Sequence, residues 1–199
     1  GGDSDSAPTI SIIEDLEFLE DSLASISFTL GDDLTGLGKL EVSATSSVIG
    51  VVPDEGLTLT GDGADRSLMI SPVENAVGDT TITVKVSDGV NETRQTFLVT
   101  VEAVNDAPVG SETAFEFEVL ENASLNTALG SVLTGFSDVD DGDSLTYSIS
   151  SGNDDGVFSI NSTTGQLKVA ANLDYAVASS YNLVVKATDE GGESATTDV

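Results

Sequence analysis

The feature that most constrains this chain is that it nearly repeats itself after about one hundred residues. Leu19-Glu20-Asp21 returns as Leu120-Glu121-Asn122, and Ile82-Thr83-Val84-Lys85-Val86-Ser87-Asp88-Gly89 returns as Leu183-Val184-Val185-Lys186-Ala187-Thr188-Asp189-Glu190. Asp5-Ser6-Ala7-Pro8 is echoed by Asp106-Ala107-Pro108. Glu20 to Glu121, Asp88 to Asp189 and Asp5 to Asp106 are each 101 residues apart. Three anchors at one spacing in a chain of 199 residues define two modules on one plan, with middle portions that have diverged. The boundary falls in Val104-Asn105-Asp106-Ala107-Pro108, giving modules 1–107 and 108–199. Pro108 removes a ladder donor and holds the residue before it extended, and the connector lacks the Gly/Ser composition of a flexible linker. It reads as short and stiff.

Within each module apolar residues recur at every second position. Ile82, Val84 and Val86 face one way, with Thr81, Thr83, Lys85 and Ser87 opposite. Phe97, Val99 and Val101 repeat the pattern, as do Phe115, Phe117 and Val119, with Glu116 and Glu118 on the other side. A period of two is that of a half-buried strand. Clusters of Gly, Asp, Asn and Ser separate the runs, and no helical period persists. About seven runs per module is the sandwich pattern. The predicted class is all-β: two tandem Greek-key β-sandwiches arranged end to end.

Charge narrows the function. There are 35 acids against 6 bases, a net charge of −29. Nucleic acid is excluded as a partner, because phosphate binding needs clustered Lys and Arg. Anionic membrane surfaces repel such a chain, and no apolar run is long enough to insert. The 39% hydrophobic content in clear strand patterns argues against disorder. Two readings of the charge stay open: a salt-adapted surface, or a set of cation sites whose carboxylates need a counter-charge to coexist. Cys and His are both absent. The first absence removes disulfides and fits a bacterial exported protein; the second removes the usual transition-metal ligand and the commonest general base. Gly1-Gly2 and a C-terminus inside a strand-like run read as the ends of a piece of something longer.

The acids gather where strands should end. In the second module the turn Ser137-Asp138-Val139-Asp140-Asp141-Gly142-Asp143 puts Asp138 and Asp140 two apart, hence on one face if the chain is extended. Gly142 permits a turn, and Asp143 can return an oxygen. Calcium takes six to eight oxygens at about 2.3–2.6 Å from such a mixture. Asp189, at a strand end, can meet this turn in space.

These pieces resemble a known family. The second module is similar to a cadherin repeat through Leu120-Glu121-Asn122, Asp138-Val139-Asp140, Phe158-Ser159-Ile160-Asn161 leading into Thr164-Gly165-Gln166-Leu167, Asn172-Leu173-Asp174-Tyr175, and Ala187-Thr188-Asp189 with Gly191-Gly192. The first resembles the Ig-like and cadherin-like repeats of giant bacterial surface adhesins, through Leu19-Glu20-Asp21, Phe28-Thr29-Leu30-Gly31-Asp32, Leu68-Met69-Ile70-Ser71-Pro72 and Val86-Ser87-Asp88-Gly89. The Val-Asn-Asp-Ala-Pro connector resembles those of RTX-type arrays. The resemblance implies Ca2+ between modules. Its residues at the central junction are Glu20, Glu74, Glu102, Asn105, Asp106, Asp138, Asp140, Asp143 and Asp189. An N-terminal junction draws on Asp3, Asp5, Asp32 and Asp88, and a C-terminal one on Glu121 and Asp174.

The departures from the family pattern fall in the linker, one residue short, at Ala176, where the family has Glu, and in the first module, which has Asp32-Asp33 but no D-x-D. The expected function is that of calcium-stiffened extender repeats of a secreted, cell-surface bacterial adhesin. The modules are monomeric, contact neighbouring repeats of the same chain, and leave a cell-surface or polysaccharide ligand to other domains. The alternative is a carbohydrate-binding module, against which stands the absence of Trp. An enzyme is not expected: without His or Cys a hydrolytic triad would need unusual parts.

Overall fold

The computed structural model describes residues 6–140 and 142–199, and it divides into two compact units, Gly1–Val104 and Asn105–Val199. Asp3, Asp5 and Asp141 lie outside the described residues. Among the described residues there is no α-helix.

The first unit is a sandwich of eight strands: β1 (Thr9–Ile10), β2 (Leu16–Leu19), β3 (Ala24–Gly31), β4 (Glu41–Ser46), β5 (Leu57–Thr60), β6 (Asp65–Ile70), β7 (Gly78–Ser87) and β8 (Glu92–Glu102). One sheet has the order β1-β3-β6-β5 and the other β2-β8-β7-β4. All pairings are antiparallel except β2 with β8, where Leu16 lies opposite Val99 and Leu19 opposite Glu102. The alternation read from sequence is what closes the core. Ile82, Val84 and Val86 on β7, Phe97, Val99 and Val101 on β8, and Phe28, Leu68 and Ile70 from the other sheet are buried against one another. Their neighbours along each strand point outward and are mostly polar, Leu98 and Met69 being the apolar exceptions, so one register serves both faces.

The second unit carries β9 (Val109–Gly110), β10 (Ala128–Ser131), β11 (Phe136–Ser137), β12 (Thr146–Ser151), β13 (Phe158–Ile160), β14 (Gln166–Val169), β15 (Val184–Thr188) and β16 (Ser194–Asp198). They form the sheets β10-β14-β13 and β12-β15-β16 and the pair β9-β11. Its core holds Val132, Phe136, Tyr147, Leu167, Val185 and Ala187. Phe115 and Phe117 stack with ring centroids 6.2 Å apart and lie against Gly135 and Gly130, where a Cβ would fall 2.3 and 2.1 Å from the rings. Those two glycines make room for the aromatics.

One expectation differs. Phe115–Val119 has the strand alternation, and its apolar side chains are half-buried, yet the segment joins no sheet. Its counterpart β2 is a strand because β8 runs alongside it. Alternation supplies a buried face, but a strand also needs a ladder partner.

Leu68 and Leu167 are fully buried in separate cores. Truncating either to Ala costs about 2–5 kcal/mol. Leu68→Ala is expected to lower the melting transition of the first unit alone, and Leu167→Ala that of the second alone, each by on the order of 10 °C. Scanning calorimetry of both variants checks this; one common shift would mean a single cooperative unit.

Candidate functional site

In the second unit the connector residues fold back onto two acidic turns. Asn105 Nδ2 donates to Asp189 Oδ2 (3.2 Å) and to Glu193 Oε2 (3.3 Å). The Asp106 amide donates to Asp140 Oδ2 (2.8 Å). Asp189 is buried at the end of β15, and its Oδ1 accepts the amides of Gly192 (2.6 Å) and Glu193 (2.8 Å). This is an Asx-type turn, in which a short carboxylate caps the backbone following it. Asn105 packs so closely over Gly191 that a Cβ there would meet Oδ1 at 1.9 Å.

The Asp138-Val139-Asp140 turn is not the extended D-x-D that the spacing suggested. The Asp140 amide donates to Asp138 Oδ1 (3.0 Å), and Asp143 N donates to the Asp140 carbonyl (3.3 Å). That side-chain-to-backbone bond coils the chain locally, with Gly142 at φ +99° completing the turn. Asp138 Oδ2 is buried and has no hydrogen-bond partner. A carboxylate oxygen taken from water without a donor is costly, and a cation is the natural remedy. Asp143 sits at the same pole. Burial and then the Glu190 carboxylate hold it above its ordinary range, with smaller pushes from Asp138 and Asp140, against the donated Glu190 amide. The segments 104–108, 137–143 and 188–193 that build this pole contain no Lys or Arg.

Asn105, Asp106, Asp138, Asp140, Asp143 and Asp189 are thus brought together within one unit. Glu190 and Glu193 join them. Sequence reasoning missed these two because they sit in a turn one residue longer than its first-module counterpart: Ser87 pairs with Glu92, but Thr188 pairs with Ser194.

In the first unit, Glu20 is buried and its Oε1 accepts the Val104 amide (2.9 Å), while its own amide donates to the Glu102 carbonyl (2.8 Å). Asp21 accepts the Asn75 amide (3.1 Å), so the exposed Glu74 lies in a turn beside Glu20-Asp21. Glu102 faces away from Glu20. Its carboxyl hydrogen-bonds that of Glu17, and this bond, then the Glu17 charge, hold it above the ordinary range.

The outer sets are less gathered. Asp32 Oδ1 caps the amides of Leu34 (3.0 Å) and Thr35 (2.6 Å), and its Oδ2 is buried without a partner. Asp88 Oδ1 accepts the amides of Val90 and Asn91, both at 2.6 Å, and bonds from Asn91 and then Val90 lower its pKa. Asp3 and Asp5 lie outside the described residues. Glu121 Oε2 accepts the Tyr175 amide (3.1 Å) beside Asp174, which caps Ala176 (2.9 Å). That bond brings Glu121 to the turn that carries Asp174.

The fold is that of tandem cadherin-like β-sandwiches. It matches mouse Cadherin-23 EC22-24 with a TM-score of 0.64 at 21% identity, over 97% of this chain and 65% of that one. Protocadherin Gamma B2 extracellular cadherin domains 1-5 match with a TM-score of 0.68 at 20% identity, over 96% and 39%. Residues 115–199 match the family model of the Cadherin domain. In sequence the chain is 38% identical over 102 residues to Protocadherin Fat 4 of Mus musculus, covering 51% of this chain and 2% of that protein. It is 33% identical over 92 residues to Protein dachsous of Drosophila melanogaster, covering 46% and 3%. The chain therefore spans only a few hundredths of the length of these relatives.

Because Glu102 is held above its ordinary range, the stability tied to it is complete below that range and is lost as pH rises through the raised value. Glu17→Gln removes the opposing carboxylate. It is expected to leave the first unit's Tm unchanged well below about pH 4 and to raise it slightly at pH 7, as read by calorimetry at both. An equal shift at both would mean that packing, not charge, is responsible.

Proposed function

We propose that the two modules are extender repeats of a larger extracellular adhesion protein, and that calcium held at their connector makes them stiff. The observation that carries this reading is the orphaned Asp138 Oδ2, in the turn that also holds Asp140 and Asp143, among segments without a single cation. All-oxygen donors on turns, part carboxylate and part amide, suit calcium rather than a thiolate- or imidazole-seeking metal. The proposed ligand set is Glu20, Asp106, Asp138, Asp140 and Asp189 with the Asn105 oxygen, and Asp143, Glu190 and Glu193 close by. Glu20 enters through the cadherin likeness and through its hold on Val104, the last residue of its unit. Glu74 remains a candidate from its turn beside Glu20. Glu102 is better assigned to its pair with Glu17. Outer junctions through Asp32 and Asp88, with Asp3 and Asp5, and through Glu121 and Asp174 are proposed on the same likeness.

The chemistry a bound calcium ion supplies here is counter-charge and shared coordination. The protein's own groups set up the rest. Backbone amides fix Asp189 and Asp140 in single orientations, so the remaining oxygens need little reordering to act as ligands. Without a counter-ion the acids repel within a Debye length of roughly 8 Å, and that repulsion favours a looser connector. The family matched by residues 115–199 is one of adhesion modules, not catalysts. Adhesive contact with neighbouring repeats and an extracellular location follow from that likeness, as does a distal cell-surface or polysaccharide ligand held by other domains. The bacterial, RTX-type setting rests on the connector and on the missing Cys. The relatives named above are from mouse and fly, and the mechanism does not require a bacterial source.

Calorimetric melts in EDTA and in about 5 mM calcium test the proposal. At dissociation constants of about 0.1–1 mM each ion adds about 1–2 kcal/mol, a rise of several degrees, and magnesium adds much less. Asp138→Ala is expected to remove most of the calcium response while changing the EDTA melt little, because loss of an unsatisfied buried charge offsets loss of the cap on the Asp140 amide. Superimposable melts with and without calcium would overturn the reading.

A further inference from the structure

Two loops of the first unit, residues 47–56 and 71–77, are stitched together by the Val73 amide, which donates to the Val51 carbonyl, and the Ser71 amide, which donates to that of Gly56 (both 2.9 Å). The turn in the first loop is pinned as well, because the Val51 and Val52 amides both donate to the Val48 carbonyl (3.1 Å). Val51 and Val52 turn inward and are buried in the core of the unit. Around them four aliphatic side chains face solvent: Ile49 is 66% exposed, Val77 50%, Val48 43% and Val73 39%. A single exposed aliphatic residue needs no explanation, but several gathered on two pinned loops make a contact surface. Its rim is acidic. Glu55 and Glu74 are exposed, each on one of the two loops, and Asp54 lies beside Glu55 with its Oδ1 accepting the Ser46 amide (2.8 Å). Neither loop contains Lys or Arg; the bases of the first unit, Lys39, Arg66, Lys85 and Arg94, all lie outside them.

We propose that these loops are a docking site for a short basic and apolar segment of another protein, with two aliphatic or aromatic side chains set between Lys or Arg. The apolar side chains cover Val48, Ile49, Val73 and Val77, and the bases answer Glu55 and Glu74 at the rim. Charge and size together select this occupant. A second copy of the chain in a two-fold contact would set the same acids against their own images. Four partly exposed side chains also fall well short of the roughly 800 Å² per partner that a stable dimer buries. An anionic membrane surface is repelled by the rim. The site uses no connector residue and is independent of the cation chemistry proposed above.

The test is a methyl NMR titration of the intact chain in EDTA, where calcium has no part, with capped Lys-Leu-Lys-Leu-Lys, Lys-Ser-Lys-Ser-Lys and Glu-Leu-Glu-Leu-Glu peptides. The first is expected to shift the methyls of Val48, Ile49, Val73 and Val77 saturably. The methyls of Val90, which is 79% exposed beyond the other end of β7, about 30 Å away, should stay in place. The serine peptide should bind several-fold more weakly, because it keeps the charge and loses the apolar contact, and the glutamate peptide should shift nothing. Ile49→Ser, at an exposed position that leaves the fold intact, should weaken the first peptide several-fold, and Val90→Ser should not. No shift with Lys-Leu-Lys-Leu-Lys at its solubility limit would overturn the proposal. So would equal binding of the serine peptide, or binding that Ile49→Ser leaves unchanged, since charge alone would then be responsible. Concentration-dependent shifts of the same methyls with no peptide present would also overturn it, because a second copy would then be the occupant.

Discussion

Carboxylates that face one another at short range must each find a donor or a counter-charge, and in a chain with 35 acids and 6 bases there are too few cations to serve them. Much of this structure can be understood as the working out of that constraint. Backbone amides do most of the service: Asp32, Asp88, Asp138, Asp174 and Asp189 each cap one or more amides in the residues that follow. Each cap ends a strand or fixes a turn, so the charge that threatens the fold also defines its loops. Where donors run out, the leftover oxygen is informative. Asp138 Oδ2 and Asp32 Oδ2 are buried and unserved. A solvated acidic surface would have turned these oxygens to water at little cost, and a binding site would not.

The sandwich cores are conventional by comparison, and they make the acidic pole possible. Alternation along β7 and β8 buries Ile82, Val84, Val86, Phe97, Val99 and Val101 on one side. The same register in β15 buries Val185 and Ala187. With the apolar face committed, the strand ends are the places where short polar side chains can collect without disturbing the core. Asp88 and Asp189 stand at the same strand end, 101 residues apart, and cap their turns in the same way.

The fold was legible in sequence because period-two alternation and a fixed spacing survive divergence of everything between. The sequence also singled out the connector and the Asp138–Asp140 turn, and the structure brings the two into contact through the Asp106 amide and Asp140. Three things were hidden. Extended geometry was inferred for Asp138 and Asp140 from spacing alone, whereas a side-chain-to-backbone bond coils the turn. Glu102 follows a strand into the connector and looks like a ligand, but strand parity turns it toward Glu17, on the face opposite Glu20. Phe115–Val119 has the composition of a strand, and composition says nothing about whether a partner is present to bond it.

The one-residue difference between the hairpins bears on why the two poles are not equivalent. Asp88 is followed by Gly89, Val90 and Asn91 before β8 begins, whereas Asp189 is followed by Glu190, Gly191, Gly192 and Glu193 before β16. The longer turn keeps its aspartate in the repeat register, so self-comparison of the sequence passes over it. Yet it adds two carboxylates at the pole that already holds Asp138, Asp140 and Asp143. One of them raises the pKa of Asp143, and the other accepts from the connector Asn105. Extra like charge at a crowded pole is unfavourable for an isolated module. Beside the connector, these two acids add oxygen donors to the set from which the proposed cation site would draw its ligands.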